Sequence, residues 1–224
     1  MTLKSVIFDL DGTLVDTADD LGDSVSAALN QLGLPTHTIA EYISFVGNGT
    51  LMLVKRSLPE NLRDDEALLN RAHELFCDHY AAHYLDKSRV YDGILEVVKA
   101  LKDAGIKLYV LTNKPYQFAS KIIEQCFPSG TFDLVGGSGQ GFPRKPDPSY
   151  ENHLIELSGV SKSETIHIGD SGTDIETAHN AGIKCIACTW GFRSRQSLID
   201  AGADFIADEP REILEISGRL NSEL

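Results

Sequence analysis

Asp9 and Asp11 stand one residue apart at the end of a short apolar run, Val6-Ile7-Phe8, with Gly12 directly behind them. A β-branched and aromatic run of this kind predicts a buried parallel strand. Open α/β sheets carry their ligand sites at the carboxyl ends of such strands. Gly12 allows a sharp turn and lets backbone approach a ligand closely. Two acids held this near each other repel unless a cation neutralises them, and a divalent cation would do so. An ordinary Asp-Gly turn after a strand accounts for the same residues, so later positions must decide between the two readings.

Three further positions fall at predicted strand ends. Thr112-Asn113 follow the apolar stretch 106–111, and a hydroxyl with exposed backbone N–H groups can hold phosphate oxygens. Taken alone, Thr112 is a weak signal, since Thr at a strand end is more often a helix cap. Lys145 lies in the proline-set run Arg144-Lys145-Pro146-Asp147-Pro148, where a fixed ammonium could screen an attacking carboxylate from a phosphate. Alone it reads as a solvated loop lysine. Gly169-Asp170-Ser171-Gly172-Thr173-Asp174 repeats the logic of the first strand, with helix capping by Asp170 or Ser171 as its plainer explanation. Together these positions put two acids, a hydroxyl, a lysine and two more acids at strand ends that one topology would gather on one edge. That combination is a magnesium site surrounded by phosphate-holding groups.

The elements that must position them follow from periodicity. Residues 16–87 read as helices throughout, with stretches near 16–32, 39–46, 50–58 and 64–85 broken at glycine and proline. From residue 90 onward strands and helices alternate, with strands expected at 106–111, 132–135, 165–168, 183–188 and 204–206 and a glycine- and proline-rich loop over 136–148. Such alternation implies a doubly wound parallel sheet with right-handed crossovers. The fold class expected is therefore α/β, Rossmann-like. Residues 1–15 and 88–224 form the core, and 16–87 form a small all-helical domain inserted after the first strand and placed to act as a lid over Asp9.

Composition limits the partners. The 224 residues carry 33 acids against 20 bases, a net charge of -13, which argues against broad nucleic-acid or anionic-membrane binding. No export signal or bilayer-length apolar run is visible, so a cytoplasmic location is expected. Cys185 and Cys188 form a C-x-x-C inside a predicted strand, where alternation sends the two thiols to opposite faces and favours core packing over a metal site. His73, His79 and His83 share one predicted helix and read as a solvated or packed face.

These motifs resemble those of the haloacid dehalogenase superfamily of phosphohydrolases, and within it the phosphoglycolate-phosphatase-like branch. Asp9-Leu10-Asp11-Gly12-Thr13 matches the first family motif and Thr112-Asn113-Lys114-Pro115 the second. Lys145-Pro146-Asp147-Pro148 matches the third and Gly169-Asp170-Ser171-Gly172-Thr173-Asp174 the fourth. The helical insert resembles the family's cap, and Tyr91-Asp92-Gly93 and Thr189-Trp190-Gly191 resemble branch features.

The resemblance implies a mechanism. Asp9 attacks phosphorus and forms an aspartyl-phosphate, while Asp11 protonates the leaving alkoxide and later deprotonates water. It implies Mg2+ held by the Asp9 carboxylate, the Asp11 backbone carbonyl and Asp170, with Asp174 supporting the metal's water shell or orienting Lys145. Thr112, the Asn113 backbone and Lys145 bind the phosphoryl oxygens. Thr13 orients the acid loop, and Ser171 supports the fourth motif. The presence of Asp11 favours phosphate over haloalkanoate chemistry. Gly47-Asn48-Gly49 resembles a cap loop that reaches the active site, though it also reads as a simple linker. Lys55 and Arg56 could meet a substrate carboxylate, with exposed helix cations as the default.

The expected substrate is a small phosphorylated metabolite, and the expected assembly a monomer or homodimer. Three stretches depart from the branch pattern: Gly139-Gln140-Gly141-Phe142-Pro143, Tyr150-Glu151-Asn152-His153 and Thr50-Leu51. They bear on substrate choice and not on the catalytic positions. A sugar-phosphate mutase and a pyrophosphatase of the same fold are the alternatives.

Overall fold

The computed structural model of the chain describes residues 3–222. In chain order its strands are β1 (Ser5–Phe8), β2 (Val15–Asp16), β3 (Arg89–Val90), β4 (Lys107–Pro115), β5 (Leu134–Ser138), β6 (Thr165–Gly169), β7 (Lys184–Cys188) and β8 (Phe205–Ala207). Val6, Ile7 and Phe8 lack apolar–polar alternation because both faces of β1 are covered, and all three are fully buried. β1 sits centrally in a parallel sheet of order β5-β4-β1-β6-β7-β8. It pairs Ile7 with Tyr109 on one side and with His167 on the other. The chain winds outward from β1 through β4 to β5, then returns to β6 and winds the other way, so the reversal lies at β1, where α/β folds place ligands.

By contacts the described chain divides into two compact units, residues 3–15 with 90–222, and residues 16–89. The second unit contains α1 (Ala18–Gln31), α2 (Ile39–Phe45), α3 (Thr50–Ser57) and α4 (Glu66–His83). Leu21, Val25, Ala28 and Leu29 of α1 and Leu69, Ala72, Leu75, Phe76 and Tyr80 of α4 are buried at helical spacing, giving this unit its own apolar core. Buried Asp20 accepts from the backbone N–H of Lys87 and of Ser88 and from the Ser88 hydroxyl, tying α1 to the returning chain. The α4 histidines are each engaged locally: His73 Nε2 lies 2.9 Å from Thr50 Oγ1, His79 Nδ1 3.0 Å from Ser24 Oγ and His83 Nδ1 2.7 Å from Asp86.

The first unit carries α5 (Ile94–Asp103), α6 (Tyr116–Cys126), α7 (Ser149–Ser158), α8 (Gly172–Ala181), α9 (Arg195–Asp200) and α10 (Glu212–Ser222). One sheet face, with Ile7, Tyr109, Leu111 and Cys185, packs against Leu154 and Ile155 of α7 and Ile175 and Ala178 of α8. Cys185 and Cys188 are both buried free thiols. Among the described residues no helix is long and apolar enough to cross a membrane.

The structure corrects three expectations. β4 does not stop at residue 111 but runs to Pro115, because a register shift between Leu111 and Pro115 lets it continue pairing with β5. Thr112-Asn113-Lys114 are thus strand residues, not a loop. β5 begins later than expected and takes in Gly136 and Gly137, so the glycine-rich loop starts at residue 139. Gly137 must be glycine because a Cβ there would meet the Tyr116 backbone at 2.7 Å. The short β2–β3 pair was not anticipated, since two-residue strands carry no periodicity.

Candidate active site

Asp9 follows directly on β1, and its N–H donates to the Ile168 carbonyl of β6 at 2.8 Å. This bond sets the first carboxylate beside the end of the strand that delivers Asp170. From Leu10 to Val15 the chain folds tightly: the N–H groups of Thr13, Leu14 and Val15 all donate to the Leu10 carbonyl, and Gly12 N–H donates to the Val15 carbonyl. Gly12 adopts a φ of 85°, in the left-handed region that favours glycine. Trp190 Nε1 donates to the Thr13 carbonyl at 3.1 Å and holds this turn from outside. Gly191 then passes so close that a Cβ on it would collide with the Gly12 carbonyl oxygen and with Asp170. The next N–H, of Phe192, donates to Asp170 Oδ2 at 2.6 Å.

Lys145 reaches this cluster from the loop before α7. Its Nζ lies 2.9 Å from Asp9 Oδ1 and 2.6 Å from Asp174 Oδ1, and its side chain is 4% exposed. Its backbone is gripped by the Asn113 side chain: Lys145 N–H donates to Asn113 Oδ1 at 2.8 Å, and Asn113 Nδ2 donates to the Lys145 carbonyl at 3.0 Å. Asp174, in the first turn of α8, is held on its other oxygen by the N–H and hydroxyl of Ser171, which closes a capping box. Lys114 Nζ lies 2.7 Å from Asp11 Oδ1, with the lysine side chain 2% exposed. The Thr112 hydroxyl is buried beside these groups and accepts from Lys114 N–H.

One ammonium therefore serves several buried carboxylates, and their proton affinities show it. Burial pushes the Asp9 carboxyl up to about 6, against the pull of Lys145, and the Asp174 charge adds to the rise. Burial, with the neighbouring Asp174 and Asp9 charges, lifts Asp170 well above the carboxylate range. Asp174 goes the other way. Burial would raise it, but Lys145 and His167 outweigh that and hold it far below its ordinary value. The Lys145 ammonium resists its own burial because Asp174 and Asp9 keep it protonated.

Oxygens of Asp9, Asp170 and Asp174 all lie within 4.8 Å of one another. Three carboxylates here share one ammonium, and Asp9 and Asp170 are both disfavoured as anions, so the set is short of positive charge. A hard divalent cation with oxygen ligands fits that deficit and that donor chemistry. Asp174 has both oxygens engaged by Lys145 and Ser171, so Asp9 and Asp170 are the carboxylates best placed to take such a cation.

Of the residues singled out in the sequence, Asp9, Lys145, Asp170, Ser171 and Asp174 come together at one edge, with Asn113 bonded to Lys145 and Thr112 buried one residue before Asn113. The Asp11 carboxylate pairs with Lys114 and lies near enough to Asp9 for its charge to add to the rise of the Asp9 carboxyl. Gly47-Asn48-Gly49 belongs to the other unit, where Arg56 donates to Asn48 Oδ1 at 2.7 Å and to the Phe45 carbonyl at 2.9 Å. Arg56 is thus a brace of its own loop, and Lys55 faces Asp64 at 3.2 Å. Sequence reasoning passed over Lys114, although it lies two residues after Thr112 on the same strand. It also passed over His167, an isolated titratable residue in an apolar strand three residues before Asp170.

Residues 6–188 match the family model described as haloacid dehalogenase-like hydrolase. A phosphoglycolate phosphatase of Vibrio parahaemolyticus is 35% identical over 220 residues, covering 96% of each chain. One from Pseudomonas syringae pv. tomato is 32% identical over 214 residues, covering 94% of this chain and 78% of its own. The crystal structure of a predicted phosphoglycolate phosphatase from Haemophilus somnus superposes with a TM-score of 0.89 at 30% identity, covering 97% of this chain and 99% of that one.

Proposed function

We propose, for a chain that belongs to the haloacid dehalogenase-like hydrolase family, a magnesium-dependent hydrolysis of a small phosphate monoester through an aspartyl-phosphate on Asp9. The chain is a phosphoric monoester hydrolase. The relatives' names favour phosphoglycolate or a similarly small anionic ester.

The observation that carries the reading is the placing of Asp9. It stands at the tip of the central strand, 2.9 Å from a buried ammonium and beside the carboxylate of Asp170. An Asp9 oxygen attacks phosphorus, and the ester P–O bond breaks with its electron pair on the alkoxide. Asp11 gives that alkoxide its proton. Asp11 then takes a proton from a water, whose oxygen attacks phosphorus and releases phosphate with the Asp9 carboxylate restored. In the structure Asp11 Oδ1 pairs with Lys114 Nζ at 2.7 Å, so Asp11 releases that contact when it takes up its role as acid and base. Lys145, the Thr112 hydroxyl and the backbone N–H of Asn113 are the groups available to phosphoryl oxygens. Magnesium, held by Asp9, Asp170 and the Asp11 carbonyl, would offset the repulsion between carboxylates and phosphate.

The test is phosphate release from a panel holding phosphoglycolate, sugar phosphates, nucleoside monophosphates and pyrophosphate, with magnesium and with a chelator. Magnesium-dependent release from one or two esters is expected, reduced more than about a hundredfold in Asp9→Asn. Release that survives the chelator, or survives in Asp9→Asn, would overturn the metal or the covalent step respectively.

A further inference from the structure

Behind the site lies a second buried pair that the chemistry above does not use. His167 occupies the middle of β6, in register with Ile7 of β1 and Cys185 of β7, on the sheet face that α7 and α8 cover. Its Nδ1 lies 2.6 Å from Glu151 Oε1 and its Nε2 3.4 Å from Asp174 Oδ1. Glu151 comes from the first turn of α7 and Asp174 from the first turn of α8, so one ring spans the starts of two helices. Glu151 and His167 side chains are both 0% exposed.

Stability does not account for this pair. Buried ion pairs are generally matched or bettered by apolar side chains of similar volume, and the same sheet face carries the apolar cluster of Ile7, Tyr109, Leu154, Ile155 and Ile175. The pair is also imperfectly satisfied, since Glu151 Oε2 has no hydrogen-bond partner. What it does have is contact with the site. Asp174 Oδ1 is shared by Lys145 and His167, so without His167 the only side chain shown on that oxygen, among the described residues, is the lysine that Asp174 is meant to place.

We propose that Glu151 and His167 are positioning residues, which fix Asp174 and through it the Lys145 ammonium that faces Asp9. Glu151 sets the tilt of the imidazole. The imidazole limits the movement of Asp174 Oδ1, and Asp174 then holds Nζ where Asp9 can meet it. The inference rests on the proposed phosphoryl transfer for its kinetic consequence, and on the ion-pair chain alone for its structural one.

The experiment compares wild type with Glu151→Leu/His167→Leu and with Glu151→Gln. Four quantities are read: the melting temperature in chelator, kcat and KM for p-nitrophenyl phosphate at saturating magnesium, and the side-chain ammonium resonance of Lys145. That resonance is observed in 15N-lysine-labelled metal-free protein and assigned by its loss in Lys145→Met. The double variant is expected to melt within a few degrees of wild type or above it. Its kcat should fall at least tenfold with KM changed less than threefold, and its Lys145 resonance should shift or broaden. A double variant with unchanged kcat and an unchanged resonance overturns the proposal. Should the double variant melt far below wild type, the near-isosteric Glu151→Gln decides by the same kcat and resonance criteria. A wild type inactive on every ester would sink the phosphatase reading, and the resonance would still test the positioning chain.

Discussion

Replacing Asp9 by asparagine should make the metal-free protein more stable while removing its turnover. In the folded chain the Asp9 carboxyl is raised from 3.8 to about 6, chiefly by burial, with Lys145 only partly offsetting it. A raised carboxyl favours the protonated folded state. Its penalty is therefore absent below 3.8, grows as pH rises through about 6 and is complete above that. The gap corresponds to about 3 kcal/mol borne by the wild type at pH 7.5. Asparagine keeps an acceptor for Lys145 Nζ and carries no charge, so it escapes most of this cost. For a chain of this size 1 kcal/mol moves the melting temperature by about 2–4 °C, so the variant should melt about 6–12 °C above wild type in chelator at pH 7.5. The advantage should shrink at pH 5. Magnesium should close most of that gap, because a ligand at a hundred times its dissociation constant adds about 2.7 kcal/mol to the protein that binds it, and the variant has lost a ligand charge. Differential scanning calorimetry with chelator and with magnesium, at the two pH values, reads all of this. A variant that melts at or below wild type in chelator at pH 7.5 would refute the claim that Asp9 is held as an unwilling anion.

Three other substitutions probe the same balance. Lys145→Met strips two buried carboxylates of their shared cation, and breaking a buried pair from one side costs about 3–5 kcal/mol; a calorimetric melting temperature within 2 °C of wild type (roughly 1 kcal/mol) would show that the ammonium is not holding them. Asp170→Asn should raise the magnesium concentration needed for half-maximal thermal stabilisation by tenfold or more, about 1.4 kcal/mol of binding, whereas an unchanged titration would remove Asp170 from the cation site. Gly191→Ala forces a Cβ into the Gly12 carbonyl and Asp170, so it should lower both melting temperature and magnesium affinity, and wild-type values for both would mean the loop yields more easily than its packing suggests.

What could be read in the sequence was whatever depended on local pattern. Val6-Ile7-Phe8 announced a strand buried on both faces, and the acids after it could only lie at that strand's tip. Asp170 and Asp174 followed the same logic at β6, and the spacing of three between Ser171 and Asp174 is that of a capping box. What could not be read depended on partners distant in the chain. Nothing local says that Lys114 turns to Asp11 across 103 positions, or that Glu151 meets His167 through the sheet face. The end of β4 was misplaced for a related reason. Thr112-Asn113-Lys114-Pro115 has the composition of a turn, and only pairing with β5 across a register shift keeps it extended. Arg56 was weighed as a free cation because a guanidinium's acceptors, here the Phe45 carbonyl and Asn48, are set by loop geometry.

The charge balance of the site explains why these pieces are assembled at some cost. Asp9, Asp170 and Asp174 converge with a single ammonium, and two of the three are pushed toward protonation by burial. Folding alone would be better served by fewer acids there. The protein instead spends stability to hold these acids in a dry place, where a divalent cation would be drawn in strongly. Asp174 stands outside that deficit because Lys145, His167 and Ser171 satisfy it. It can therefore act as a fixed strut while Asp9 and Asp170 remain responsive. This division between one satisfied carboxylate and two frustrated ones is what lets the same cluster be rigid in geometry and available for chemistry.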